Sequence, residues 1–491
     1  MRNILQPFLA ATMFATLPLD GKQHAKEIFH TFVIGVYFFP LLGGWLADRF
    51  FGKYNTILWF SLIYCVGQGL LALFVDTVHG FFAGLALIAL GSGGIKPLVA
   101  SFMGDQFDET NKDLAKKVFD AFYWIINFGS FFASLLMPVL LVMFGPRVAF
   151  GVPGILMFIA TVVFWAGRKR YVLVPRKAHD PDAFIKVVRT ALTGGGPGTY
   201  IALGGVAIAL GAFSLYALDW LEIVPTVCLA LVVFLVFGGI GTSMQLDRAR
   251  EKHSAEAVDG VRAVLSILIV FALVTPFHSL FDQKATTWVI QGGDMRAPTF
   301  DLGSWYIALQ PAQMQAVNPA LVMLLIPFNN FVFYPWLRKK GWEPTALRRM
   351  TFGIVFAAVA WIAAGVLQLV IESGPRGGIS IFWQLIPYVL LTFGEVLVSA
   401  TGLEFAYSQA PLAMKGVIMS FWNLTTTVGS LWVLLVGAGL GNTRVQHVIE
   451  STGLTQTGFA MFFFAAFAGA AAFGFWRYTQ RYRVVDNYRS I

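Results

Sequence analysis

The sequence predicts an all-α polytopic membrane protein, two six-helix bundles with an extra helix pair between them: fourteen spans, the first incomplete. Hydrophobic residues make up 57% of the 491 and charged residues only 12%, about half the ~25% of a soluble chain. The apolar residues gather into runs of the ~20 residues that a spanning helix needs. The basic residues fall between those runs, mostly on one side.

A first run at about 3–19 is short and broken by Pro7 and Pro18, so it barely crosses. Longer runs follow at 28–47, 55–75, 81–104, 118–144, 148–167, 198–218 and 222–244. The remainder lie at 262–283, 316–337, 350–371, 380–405, 412–440 and 457–476. The intervening stretch 291–315 holds Gly292, Gly293, Pro298 and Pro311 and reads as an outer loop.

With a cytoplasmic amino terminus, 26 of the 35 Lys and Arg fall inside and 6 outside, with Arg2, Lys96 and Lys284 in or at the mouths of spans. That asymmetry supports two cytoplasmic termini. A basic connection at 168–197 ends in Gly194-Gly195-Gly196-Pro197-Gly198, a helix breaker. The domains are then an amino-terminal bundle at 1–170, a linker with two extra helices at 171–260, and a carboxy-terminal bundle at 261–491. Two six-helix halves related by an axis along the membrane normal are a transporter architecture.

This composition excludes a secreted, nuclear or cytosolic enzyme, and long apolar runs exclude an outer-membrane barrel. The net charge of +9 does not signal nucleic acid, because the bases lie in short loops and not on one soluble face. Cys65 and Cys228 lie inside apolar runs and form no disulfide or metal pattern. No cofactor is expected, and no catalytic elbow or phosphate loop is present. Met1-Arg2-Asn3 leads straight into apolar sequence, with no cleavable signal peptide.

The functional signal lies in polar residues inside apolar runs. In Gly43-Gly44-Trp45-Leu46-Ala47-Asp48-Arg49-Phe50-Phe51-Gly52-Lys53 the glycines allow close helix approach. Asp48 and Arg49 at the inner edge can latch helix ends in one state and release them in another. The plain alternative is a turn with topogenic charge. Lys96, in Gly91-Ser92-Gly93-Gly94-Ile95-Lys96-Pro97, costs about 3 kcal/mol at mid-bilayer and needs a cavity or a partner. Pro97 and the glycines suggest a distorted helix beside an aqueous route.

Asn127, in Phe122-Tyr123-Trp124-Ile125-Ile126-Asn127-Phe128-Gly129-Ser130, offers an amide that is otherwise helix–helix glue. Asp282, toward the outer end of its span, has His278 one turn earlier, a pair that could titrate near neutral pH. Glu395 sits mid-span with Ser399 one turn on, on the same face. A buried carboxylate can exchange protons or bind an ammonium group, or serve only as a structural ion pair. Glu404 lies nearer the inside and reads as structural. His30, near an outer end, shares a face with Tyr37 and is either a bland interfacial histidine or a pH-sensitive one. Lys96 in one half and Glu395 in the other could clamp the ends of a zwitterion, or pair when the site is empty.

The Asp48 loop resembles the signature of the Major Facilitator Superfamily. With Phe122-Tyr123-x-x-Ile-Asn127-x-Gly129, and Glu395 followed by Glu404-Phe405-Ala406-Tyr407-Ser408-Gln409-Ala410-Pro411, nearly the whole chain resembles the bacterial type of the proton-dependent oligopeptide transporter family. The resemblance implies symport of di- and tripeptides with protons. It implies Glu395 on the peptide amino group, Lys96 on its carboxylate, and Tyr37, Asn127, Asn318, Ser399 and Trp422 in the pocket. His30, Asp282 and Glu395 are implied in proton coupling, and Asp48, Arg49, Lys96 and Glu395 in gating. In place of the family's E-x-x-E-R-F-x-x-Y stretch the chain begins Met1-Arg2-Asn3-Ile4-Leu5, like the residues just after that motif. The other departure is His278, where many bacterial members place an aromatic that touches substrate side chains.

The expectation is therefore a monomeric proton-coupled peptide importer of the bacterial inner membrane, working by alternating access, with peptide, protons and the lipid bilayer as its partners. The alternatives are an importer of another zwitterionic or anionic solute and a non-transporting membrane receptor.

Overall fold

The computed structural model describes residues 5, 8–9, 21–108, 110–174, 182, 184–218, 223–301, 306–309, 311–411, 414–440 and 443–484. The fold is all-α. Among the described residues, 12 helices are long and apolar enough to cross a membrane. The count of fourteen is not established: the expected first span lies largely outside the described residues, and the helix over the expected run at 28–47 is not among the twelve.

The first half of the chain supplies α1 (Gly21–Leu46), α2 (Lys53–Leu73), α3 (Val78–Gly104) and α4 (Lys112–Ala166). Gly145, with φ 80°, breaks the 55-residue α4 into spans at Lys117–Leu141 and Met143–Lys169; glycine adopts that φ without a Cβ clash. The expected runs at 118–144 and 148–167 are these two. Next come α5 (Phe184–Thr193), α6 (Pro197–Gly211) and α7 (Ile223–Gln245), and α6 meets α7 where Gly198 and Gly241 abut.

The second half begins with α8 (Ala255–Gln283). Here the segment before residue 316 differs from the expected loop. It holds a short helix, Thr287–Gly293, and a hairpin of β1 (Thr299–Asp301) and β2 (Tyr306–Ala308), antiparallel with Phe300 opposite Ile307. Then come α9 (Val317–Phe328), α10 (Ala346–Ser373), α11 (Leu385–Glu395), α12 (Lys415–Leu440), α13 (Thr443–Ser451) and α14 (Gln456–Thr479). Two of these run on through π-helical turns: α9 through Asn329–Phe333 into Tyr334–Lys339, and α11 through Val396–Ala400 into Thr401–Gln409.

The glycines of α3 are packing surfaces. The helix is continuous through Pro97, and a Cβ at Gly91 would meet Tyr64, at Gly93 Phe39, and at Gly94 Phe60. They let α1, α2 and α3 approach closely. Large apolar side chains such as Phe331 and Leu73 remain exposed, as a surface that faces acyl chains requires.

Candidate functional site

The buried polar centre lies where α4 of the first half meets α9 and α11 of the second. Glu395 is the last residue of α11 before its π turn and is 3% exposed. Such turns concentrate at functional sites because they reset the face that a helix presents. Tyr123 on α4 donates to Glu395 Oε1 at 2.5 Å. Asn318, in the first turn of α9, donates to Glu395 Oε2 at 2.6 Å and to Thr392 Oγ1 at 2.9 Å. The carbonyl oxygen of the same amide accepts from the buried Lys284 at 2.5 Å. A buried carboxylate needs such donors. Lys284 thus reaches Glu395 through one amide.

Neighbouring contacts hold the halves in register. Trp124 Nε1 donates to the Met323 carbonyl at 2.9 Å, and Asn330 donates to Asp120 at 2.9 Å. Asn127 donates back to the Tyr123 carbonyl at 2.9 Å, and Ser399 borders the Tyr123 hydroxyl. Asn127, Ser399, Asn318 and Glu395 therefore gather around one tyrosine. Trp422 is buried edge-on against Phe271 and His278, and Gly402 lies flush against its ring.

A second polar cluster clamps the halves at the Asp48 end. A Cβ on Gly44 would lie 2.8 Å from the Gly416 carbonyl, so α1 and α12 touch backbone to backbone. Asp48 accepts from the Val417 N–H at 2.9 Å. Desolvation there raises its carboxyl to about 6, against the pull of Lys53 and the Val417 N–H. Lys53 pairs with Asp105 at 2.6 Å, and Tyr407 donates to the other oxygen of Asp105 at 3.0 Å. Lys415 then donates to the Tyr407 carbonyl at 3.1 Å and lies over its ring.

Residues 54–438 match the profile of the POT family. The chain belongs to the POT family. It is 32% identical over 401 residues to human solute carrier family 15 member 2, covering 78% of this chain and 49% of that protein. It is 33% identical over 370 residues to peptide transporter 3 of Caenorhabditis elegans, covering 72% and 46%. The chain spans about half the length of the curated relatives it matches. Among solved structures, an auto-inhibited POT family peptide transporter is 60% identical with a TM-score of 0.84, covering 100% of this chain and 95% of that one. The in meso structure of the POT family transporter PepTSo is 58% identical with a TM-score of 0.84, covering 98% and 94%. The family and these relatives are transporters, not enzymes.

In this POT family chain, Lys96 and Glu395 are not in contact. Both oxygens of Glu395 are engaged, and the exposed Lys96 lies 3.9 Å from the centre of the Tyr37 ring. Among the described residues Lys96 and Arg49 make no ion pair; at the latch Lys53 holds Asp105. His278 and Asp282 do not pair among the described residues. His278 packs on Trp422 and Gly429, whereas Asp282 accepts from Ser430 at 3.1 Å. Glu404 pairs with Arg349 at 3.3 Å, in keeping with a structural role. The backbone of His30 lies in α1, but its side chain is outside the described residues.

Sequence reasoning passed over Tyr123, Thr392, Lys284, Asp105 and Tyr407 as site residues. The Tyr123 hydroxyl stood inside a quoted motif, and a hydroxyl in an apolar run was the available signal. Nothing local marks Tyr407 as the mate of a carboxylate 302 residues away.

Proposed function

We propose that this chain is a monomeric proton-coupled symporter that imports di- and tripeptides by alternating access across the bacterial inner membrane, with both termini cytoplasmic. The observation that carries this reading is the buried Glu395, reached from the other half of the chain by Tyr123. A peptide ammonium has the donors to replace Tyr123 and Asn318 on that carboxylate, and Lys96 beside Tyr37 offers the cation for the peptide carboxylate. The bundle would divide at about residues 170 and 260, with α6 and α7 as the inserted pair.

On this reading Tyr37, Asn127, Asn318, Ser399 and Trp422 line the pocket, and His30, Asp282 and Glu395 exchange the proton. Asp48, Arg49, Lys96 and Glu395 serve the gates. With the basic loops inside, the Asp48 clamp is the cytoplasmic gate, closed in this conformation. Protonation of Glu395 removes the charge that holds its donors and lets peptide and partner exchange. The halves then rock about the site. The test is dialanine uptake into proteoliposomes under an inward pH gradient and an inside-negative potential. Uptake coupled to proton influx supports the reading; peptide-independent proton flux, or none, rejects it.

A further inference from the structure

A cleft lies between the Tyr334–Lys339 continuation of α9 and the start of α10. Its volume is about 250 Å³, and its walls, including Phe333, Leu337, Trp342, Phe356 and Leu397, are almost wholly apolar. Phe352, on the same wall, is 47% exposed, and Trp336 nearby is 52% exposed. On the outside of a membrane bundle such a cleft suits an acyl chain.

The rim is strongly basic. Residues 338–349 contain Arg338, Lys339, Lys340, Arg348 and Arg349 against one acid, Glu343. Glu343 is engaged by Arg338 at 3.5 Å, and its carbonyl accepts from Arg348 at 3.1 Å. Among the described residues Lys339 and Lys340 have no ion pair, and both are exposed. Arg348 and Arg349 occupy the first turn of α10, which contains no acid. A helix amino terminus favours anions, so the exposed Arg348 there calls for one from outside the helix.

One charged side chain stands in the wall of the cleft. Arg349 lines it with its side chain only 6% exposed. Its guanidinium spends one nitrogen on Glu404, and its Nε–H is buried without a hydrogen-bond partner.

We propose that this cleft binds an anionic phospholipid. One acyl chain lies against Phe333, Leu337 and Phe356, and the phosphate sits among Lys339, Lys340 and Arg348. Basic pockets between spanning helices hold lipid head groups in this way. The proposal needs only that the chain spans a membrane and stands whatever the transported solute is.

The test is native mass spectrometry of the full chain in detergent, titrated with phosphatidylglycerol and with phosphatidylcholine of the same acyl chains. The expected result is preferential, salt-weakened binding of phosphatidylglycerol, with its Kd raised at least about tenfold in Lys339→Gln/Lys340→Gln/Arg348→Gln and phosphatidylcholine unaffected. Inorganic phosphate alone should not displace the lipid. Equal binding of the two lipids, unchanged phosphatidylglycerol affinity in the folded triple variant, or displacement by inorganic phosphate would overturn the proposal. The salt dependence of the unmutated chain decides the matter if the triple variant does not fold.

Discussion

Tyr123 donates its phenolic hydrogen to Glu395 across 2.5 Å, and the two residues lie 272 positions apart, in opposite halves of the chain. Tyr123→Phe leaves the buried carboxylate one donor short, a loss of about 1–3 kcal/mol. Its dialanine uptake should fall about tenfold at equal expression. Undiminished uptake would show that the bond is incidental.

Asn318 couples two charged groups, so its loss should matter more than that of Thr392. Asn318→Ala cuts the path from Lys284 to Glu395, whereas Thr392→Val removes only the acceptor of the second hydrogen of the amide NH2. Initial rates of uptake should drop strongly in the first and by less than about fivefold in the second, in line with one neutral hydrogen bond. The reverse order would disprove the relay.

The closed end depends on glycine. In Gly44→Ala the new methyl meets the backbone of Gly416, which cannot withdraw as a flexible side chain can. Spin-label distances between the Asp48 end of α1 and the Val417 end of α12 should lengthen, with uptake reduced. Unaltered distances would mean that the junction is looser than drawn.

The same junction should respond to pH. The carboxyl of Asp48 is raised from 3.8 to about 6 in the closed arrangement. The closed state therefore takes up a proton more readily than an open, hydrated one. Its added stability is complete below about 3.8 and is lost as pH rises through about 6. The same distances, followed from pH 5 to 7, should shift toward the open end, and Asp48→Asn should flatten that response. A profile identical in Asp48→Asn assigns the pH dependence elsewhere.

The spans were legible in the sequence because a bilayer imposes a length and a polarity on every crossing. Glu395 stood out for the same reason, as a charge with no business in an apolar run unless it is used. Its partners were far less visible. Tyr123 hides among 47 phenylalanines and 14 tyrosines as one more ring. Lys284 looked like a neighbour of Asp282, yet its mate Asn318 lies 34 residues on, beyond the outer hairpin. Asp105 and Lys53 are unremarkable loop-edge charges until the fold sets them 2.6 Å apart. The α3 glycines pack closely on Phe39, Phe60 and Tyr64, neighbours on other helices that the local sequence does not reveal.

In the proposed function Glu395, at the junction of the halves, couples peptide to proton. The most direct measurement is dialanine-stimulated proton influx into proteoliposomes containing either the unmutated chain or Glu395→Gln, reconstituted at equal density. Influx that accompanies peptide uptake is expected with the former and none with the latter. Influx of equal size in both would contradict it.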